Sequence, residues 1–320
     1  MGNLNVAILA PNDYAKTPGK KGTASDITLY DLKKGQDTVG LIEPTKYPER
    51  IAPLFYACSM SNAALVVVDE INANLGECII MLHCLDITKG WFVLRNYLSP
   101  DRLQPFIKGT SVEGFYFIED DANKIREMLL DEAANIKVEE GKYQTGSVPI
   151  DHHFNVKGVG TVVLGYVVKG TIRRHDSVSV LPTKMKALVR SIQKHDDDYD
   201  VSDLGDRVGL ALKNVESDDL DRGFVLSTDP AIKCEKNVQA PAELIKYWPT
   251  PLKEGMVLHI GHWMQFQPAR VEAVDNGSDW KRPVLRLSME RELVYLPGSK
   301  VVLTQLEGGK LRIVGTLHMG

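Results

Sequence analysis

At 320 residues, with 43% hydrophobic and 25% charged side chains, the chain has the balance of a folded globular protein and the length for two or three cores. A net charge of −4 and a pI near 6.1 exclude a generally basic nucleic-acid binder, so any RNA contact must be local. No apolar run approaches the roughly 20 residues of a membrane helix, the N-terminus shows no export segment, and the four cysteines form no CxxC pair; the expected setting is cytoplasmic, without membrane, zinc site or disulfide.

In chain order, Asn5 to Leu9 (NVAIL) is an apolar run of strand length. The Pro- and Gly-dotted stretch from Pro11 to Gly22 that follows cannot be a helix interior. Ala63 to Asp69 (AALVVVD) reads as a strand buried on both faces of a parallel sheet, and Trp91 to Leu94 as a third strand. Helical spacing marks Ile51 to Met60, Leu75 to Leu85 and Asn123 to Ala134, the last behind Asp120 and Asp121 as caps. Alternating strands and helices predict a doubly wound α/β domain over residues 1–142.

After Tyr143 the texture changes to short β-branched runs divided by Gly and charged turns: GTVVLGYVVKGTI, DSVSVLP, MKALVRSIQ, DRVGLAL and RGFVLS. Close, regular strand spacing predicts a small β-barrel over 143–232. A second all-β stretch, with MVLHIGH, PARVEAV, RPVLRLSME, SKVVLTQL and KLRIVGTLH, predicts another over 233–320. Trp248, Trp263, Trp280, Phe266 and Tyr295 concentrate aromatic side chains there, as core or as rings beside Arg270 or Arg282 that stack on RNA.

The segment Asp151 to Ser227 resembles the second domain of EF-Tu-type translation factors. It carries Phe154, then Gly158-Val159-Gly160-Thr161-Val162-Val163-Leu164-Gly165, Gly170-Thr171-Ile172, Gly205-Asp206-Arg207-Val208-Gly209-Leu210 and Arg222-Gly223. Its wording is most similar to SelB-like, archaeal-type members. The resemblance implies a GTPase-like α/β domain followed by two EF-Tu-type β-barrels, and partners among tRNA, the ribosome or another translation factor, with no DNA. In the resembled factors the second domain receives the aminoacyl end of tRNA, and SelB-like members sense the amino acid with His and Arg. On this chain that role falls to Arg190 and His195, with Arg207 and Arg222 nearby; Arg222 also reads as a residue that holds the barrel's turn.

Laid on the family's GTPase domain, the first domain has lost its nucleotide motifs. Where a phosphate loop reads G-x-x-x-x-G-K-[ST], this chain has Ala10-Pro11-Asn12-Asp13-Tyr14-Ala15-Lys16-Thr17, with alanine for both glycines. Those glycines let backbone N–H groups approach the phosphates closely, and a Cβ obstructs that. Pro18 is expected to push Thr17 out of the helical region. Where the family has D-T-P-G-H stand Glu43-Pro44-Thr45-Lys46-Tyr47, and where it has N-K-x-D stand Arg95-Asn96-Tyr97-Leu98. The 27 residues from Lys16 to Glu43 leave no room for the first switch.

The expectation is a non-enzymatic translation-factor paralogue without cofactor, in which Asp13, Lys16 and Thr17 are a vestigial nucleotide site. The alternative is an elongation factor that still binds GTP and Mg2+ through non-standard contacts and delivers an aminoacyl-tRNA. A third reading recruits the barrels outside translation. His152-His153 and His195 with Asp196-Asp197-Asp198 resemble metal ligands, but the second group reads as a solvated acidic turn.

Overall fold

The computed structural model describes residues 2–137, 139–183, 185–307, 309 and 311–320. The chain forms two compact units: 1–137 with 245–248 and 304–315, and 138–244 with 249–303 and 316–320.

The first unit contains β1 (Asn3–Leu9), β2 (Lys20–Ala24), β3 (Thr28–Lys34), β4 (Asp37–Glu43), α1 (Ala52–Ser59), β5 (Ala63–Val68), α2 (Ala73–Cys84), β6 (Gly90–Leu94), α3 (Pro100–Ile107), β7 (Tyr116–Ile118) and α4 (Ala122–Ala134). Its seven strands run in the order β2-β3-β4-β1-β5-β6-β7. The central strands β1 and β5 are buried along their whole length, as their unbroken apolar runs dictate. Three of the helices follow the sequence expectation closely. Asp121 caps α4 by accepting from the Asn123 and Lys124 amides, whereas Asp120 has another task. The sheet is mixed rather than purely parallel, because β3 runs antiparallel to β4 and β2 antiparallel to β3. One face is closed by Ile125, Leu129 and Ala133 of α4 against Val6, Ile8, Leu41, Leu65 and Trp91.

The region from Lys16 to Glu43, expected to lack the first switch, is filled by β2, β3 and most of β4. The turn between β3 and β4 uses Gly35 at φ 62°, a conformation a Cβ disfavours. No α-helix follows β1; a three-residue 3-10 turn, Tyr14–Lys16, stands there.

Next come β8 (Gly146–Val156), β9 (Gly160–Tyr166), β10 (Lys169–Arg173), β11 (Ser177–Leu181), β12 (Met185–Lys194), β13 (Asp197–Tyr199), β14 (Val201–Asp203), β15 (Arg207–Lys213) and β16 (Val225–Ser227). Pairing of β8 with β9 closes a six-strand ring, β8-β16-β11-β12-β15-β9, around Val148, Ile150, Val163, Val178, Val189 and Leu210. Gly165 lets β9 approach β8: a Cβ there would meet the Pro149 carbonyl oxygen at 2.3 Å. A bulge between Ile150 and His152 breaks the alternation of β8 at Asp151.

The last strands are β17 (Lys233–Leu244), β18 (Val257–His262), β19 (Gln265–Asp275), β20 (Val284–Tyr295), β21 (Lys300–Thr304) and β22 (Ile313–His318), which form a closed barrel in the order β17-β20-β19-β18-β21-β22. The architecture is therefore an α/β sheet domain followed by two six-strand barrels. Trp248 and Tyr295 are buried, and Trp280 stands under the Lys281 ammonium at 4.3 Å. Cys58, Cys78 and Cys84 are buried thiols and Cys234 a half-buried one. Among the described residues no helix is long and apolar enough to cross a membrane.

Candidate functional site

The loop after β1 is where a phosphate-binding domain would hold its ligand, and this chain holds a carboxylate of its own there. Asp13 adopts the left-handed conformation (φ 66°, ψ 13°), which turns nearby amides to one side. The Asp13 N–H donates to Glu43 Oε2 at 3.1 Å and the Ala15 N–H to Glu43 Oε1 at 3.2 Å. The Tyr30 hydroxyl lies 3.2 Å from both Glu43 Oε2 and Asp13 Oδ1. Glu43 ends β4 and is 1% exposed. Burial pushes its carboxyl pKa up, against the opposing pull of the Ala15 and Asp13 amides and the Tyr30 hydroxyl. The methyl group of Ala15, in place of a loop glycine, is fully buried in the core beneath.

The predicted nucleotide residues divide accordingly. Asp13 faces Glu43, while Lys16 and Thr17 are exposed at the end of the 3-10 turn. Thr17 keeps helical angles (φ −75°, ψ −49°) in spite of Pro18, because the turn closes through its N–H on the Tyr14 carbonyl. At the position of the guanine motif, Arg95 donates to Asp120 at 2.7 Å, lies 3.6 Å from Asp69 and caps the Tyr14 ring at 5.2 Å. Tyr14 donates to the other Asp120 oxygen at 2.8 Å. Asn96 and Tyr97 both take positive φ, and Tyr97 projects fully into solvent.

The β8–β9 barrel carries the second constellation. Asp151 sits at the bulge in β8 and is 1% exposed. Its carboxylate receives Arg207 Nη1 on Oδ2 and meets His152 Nδ1 on Oδ1 at 2.7 Å. Burial would raise the Asp151 pKa, but the Arg207 guanidinium and His152 together hold it below the ordinary value. Arg207 also lies 5.1 Å over the Tyr166 ring, and Arg222 Nε donates to the Asp151 carbonyl at 3.0 Å. His152 Nε2 is buried and finds no hydrogen-bond partner. Such an atom beside a charged pair is a ready contact for an incoming polar group. His153 instead meets the Ser217 hydroxyl at 3.0 Å.

Of the four predicted RNA-end residues, the structure brings Arg207 and Arg222 together on Asp151. Arg190, exposed on β12, donates to the Val159 carbonyl at 3.1 Å, and His195 sits at φ 50° in the turn after that strand; neither joins the cluster. The residues that sequence reasoning missed as part of this set are Asp151 and His152. Their signal was an acid directly after the apolar run SVPI, which strand alternation alone does not mark as buried. The role of Glu43 was missed as well: it read only as the residue that stands at the start of the altered D-T-P-G-H motif.

Comparison with known proteins adds the following. A family described as elongation factor Tu domain 2 matches residues 160–227. An uncharacterised protein of Methanocaldococcus jannaschii is 40% identical over 301 residues, 94% of each chain. The selenocysteine-specific elongation factor of the same organism is 26% identical over 338 residues, 94% of this chain and 71% of that one. The structure of translation elongation factor SelB from Methanococcus maripaludis in complex with the GTP analogue GppNHp matches with a TM-score of 0.84 at 21% identity, over 100% of this chain and 79% of the other. At that identity the likeness is one of fold.

Proposed function

Because the chain belongs to the elongation factor family of EF-Tu/SelB type, we propose that it is a translation-factor paralogue that works without a GTP switch and engages the aminoacyl end of a tRNA through its first barrel. The observation that carries nucleotide independence is the Glu43 carboxylate seated on the Asp13 and Ala15 amides. A phosphate would have to displace a covalently attached anion of the same charge sign, and no α-helix N-terminus stands behind the loop to favour the exchange. Arg95 supports the same reading, since it occupies the place of the base-recognition motif and is committed to Asp120 and Asp69.

The tRNA end is assigned to the Asp151–His152–Arg207 cluster rather than to Arg190 and His195. The cluster combines a fixed carboxylate, a guanidinium and an imidazole nitrogen without a partner, all held on β8 and β15 of a rigid barrel. Arg222 fixes the backbone under Asp151 and is placed as a positioning residue. The ribosome or another translation factor is the further partner this reading implies, in the cytoplasm.

Filter binding of aminoacyl-tRNA against deacylated tRNA, without added nucleotide, tests the assignment. The expected result is preference for the aminoacylated form, reduced roughly tenfold by His152→Ala at a temperature where the folded fraction of the variant, followed by circular dichroism, matches the parent. Equal binding of both tRNA forms, or binding that appears only with GTP, would contradict it; the latter would restore a nucleotide-dependent delivery factor.

A further inference from the structure

The sheet of the first unit holds a second place for a ligand. β1 lies between β4 and β5, and the chain passes from β4 through α1 to β5 on the opposite side of β1. In open α/β sheets, ligands settle at the carboxyl ends of the strands where the winding reverses in this way. A cleft of about 340 Å3 lies there, and small-molecule sites start at roughly 300 Å3. Its floor is apolar, made by Leu9, Val66, Val68, Leu75 and Cys78, none more than 8% exposed. Its rim is polar, with Asn12, Asp69, Glu70 and Asn74. Tyr47 closes one side, its hydroxyl donating to the Asn74 carbonyl at 2.8 Å.

This cleft is not the amide cradle filled by Glu43. Its lining along the β1 loop ends at Asn12, before Asp13 and Ala15, and includes none of residues 95–98. No Lys, Arg or His lines it, so nothing there neutralises a phosphate. The rim is rich in acceptors instead. Asn72 directs its amide N–H at Glu70 at 2.6 Å and its oxygen at the Leu75 N–H at 3.0 Å, which fixes the Glu70 carboxylate at the mouth while leaving it exposed. Asp69 has Arg95 at 3.6 Å and is 40% exposed. An apolar floor below two carboxylates complements an apolar body that ends in a charged N–H donor.

We propose that this cleft binds a phosphate-free organic cation, an amine or amidine on an apolar body of roughly 10–20 non-hydrogen atoms. The site is independent of the barrel cluster; Ala10, Pro11, Asn12, Pro44 and Tyr47 of its lining come from the two altered nucleotide motifs, so it rests on the reading that no GTP occupies them. Titration of the full 15N-labelled chain with benzamidine, and separately with benzoate, followed by amide chemical shifts, tests it. Benzamidine is expected to give saturable shifts at Asp69, Glu70 and Asn74, and benzoate none. Glu70→Gln, a surface change, weakens benzamidine roughly fivefold through loss of a charge-assisted hydrogen bond. Asn74→Trp, at an exposed position of α2, fills the mouth and abolishes binding, and the dispersion of its spectrum reports that it folds. No saturable shift, shifts confined to other residues, benzoate binding as tight as benzamidine, or a Glu70→Gln protein that binds like the parent would each overturn the proposal.

Discussion

Glu43 shows how a single side chain settles the chemistry of a loop. If it is cut to alanine, the Asp13 and Ala15 amides and the Tyr30 hydroxyl lose a shared acceptor in a buried place, and stability is expected to fall by about 2 kcal/mol in urea titration. Glu43→Gln keeps one acceptor oxygen and should lose less. Because burial raises the Glu43 pKa above the ordinary 4.5, its favourable contribution is complete below that pH and is lost as pH rises through the raised value. The stability difference between the parent and Glu43→Gln should therefore shift against the parent on going from acid to neutral pH. His262 has the opposite sign. It is 6% exposed, its Nε2 has no partner, and burial lowers its pKa from 6.5 to about 4. The unfolded chain takes up this proton first, so stability should decline as pH falls from 6.5 towards 4, by up to about 3 kcal/mol. His262→Asn should remove that acid slope; an unchanged slope would show that other groups carry it.

At the scale of elements, α2 is tied to the segment 304–315 of its own unit by one buried ion pair. Arg312 donates to Glu77 from its backbone N–H at 2.9 Å and from its guanidinium at 3.0 and 2.6 Å, and Tyr47 reaches the same carboxylate at 3.2 Å. Glu77 is 2% exposed, so Arg312→Ala leaves a buried carboxylate with only Tyr47 and the backbone N–H of residue 312 among these donors and should cost about 3 kcal/mol. A loss below about 1 kcal/mol in the same titration would mean that water replaces the guanidinium. Much of this architecture was legible. β1 and β5 announce themselves as continuous apolar runs, and α1, α2 and α4 by their spacing and, for α4, its Asp121 cap. What stayed hidden depended on non-local pairing or lacked a period. β3 and β4 acquire their register only against each other and β1. α3 buries just Leu103 and Ile107, and β7 has three residues. The barrel cluster was half legible: the glycine-rich motif led to Arg207 and Arg222, but the contacts of Asp151 with them, and so the place of His152 beside it, depend on non-local pairing of β8. Arg190 and His195, suggested by the SelB-like resemblance, lie on β12 and in the turn after it, outside that cluster.

For the whole molecule, the EF-Tu/SelB architecture is retained, and we propose that the parts which would make it a nucleotide switch are occupied by the chain itself. The loop amides hold Glu43, the base-recognition position holds Arg95 on Asp120, and strands fill the stretch between loop and β4. On this reading the first unit keeps one state whether or not nucleotide is present, because a ligand shifts an equilibrium only by its differential affinity for two states. On the same reading the barrel cluster operates without a timing step. The most direct measurement is an anisotropy titration of a fluorescent GTP analogue with Mg2+, with an active elongation factor of the family as the positive control. The account predicts no saturable rise at high micromolar protein. Saturable binding that unlabelled GTP reverses, in the parent chain with Glu43 intact, would contradict it.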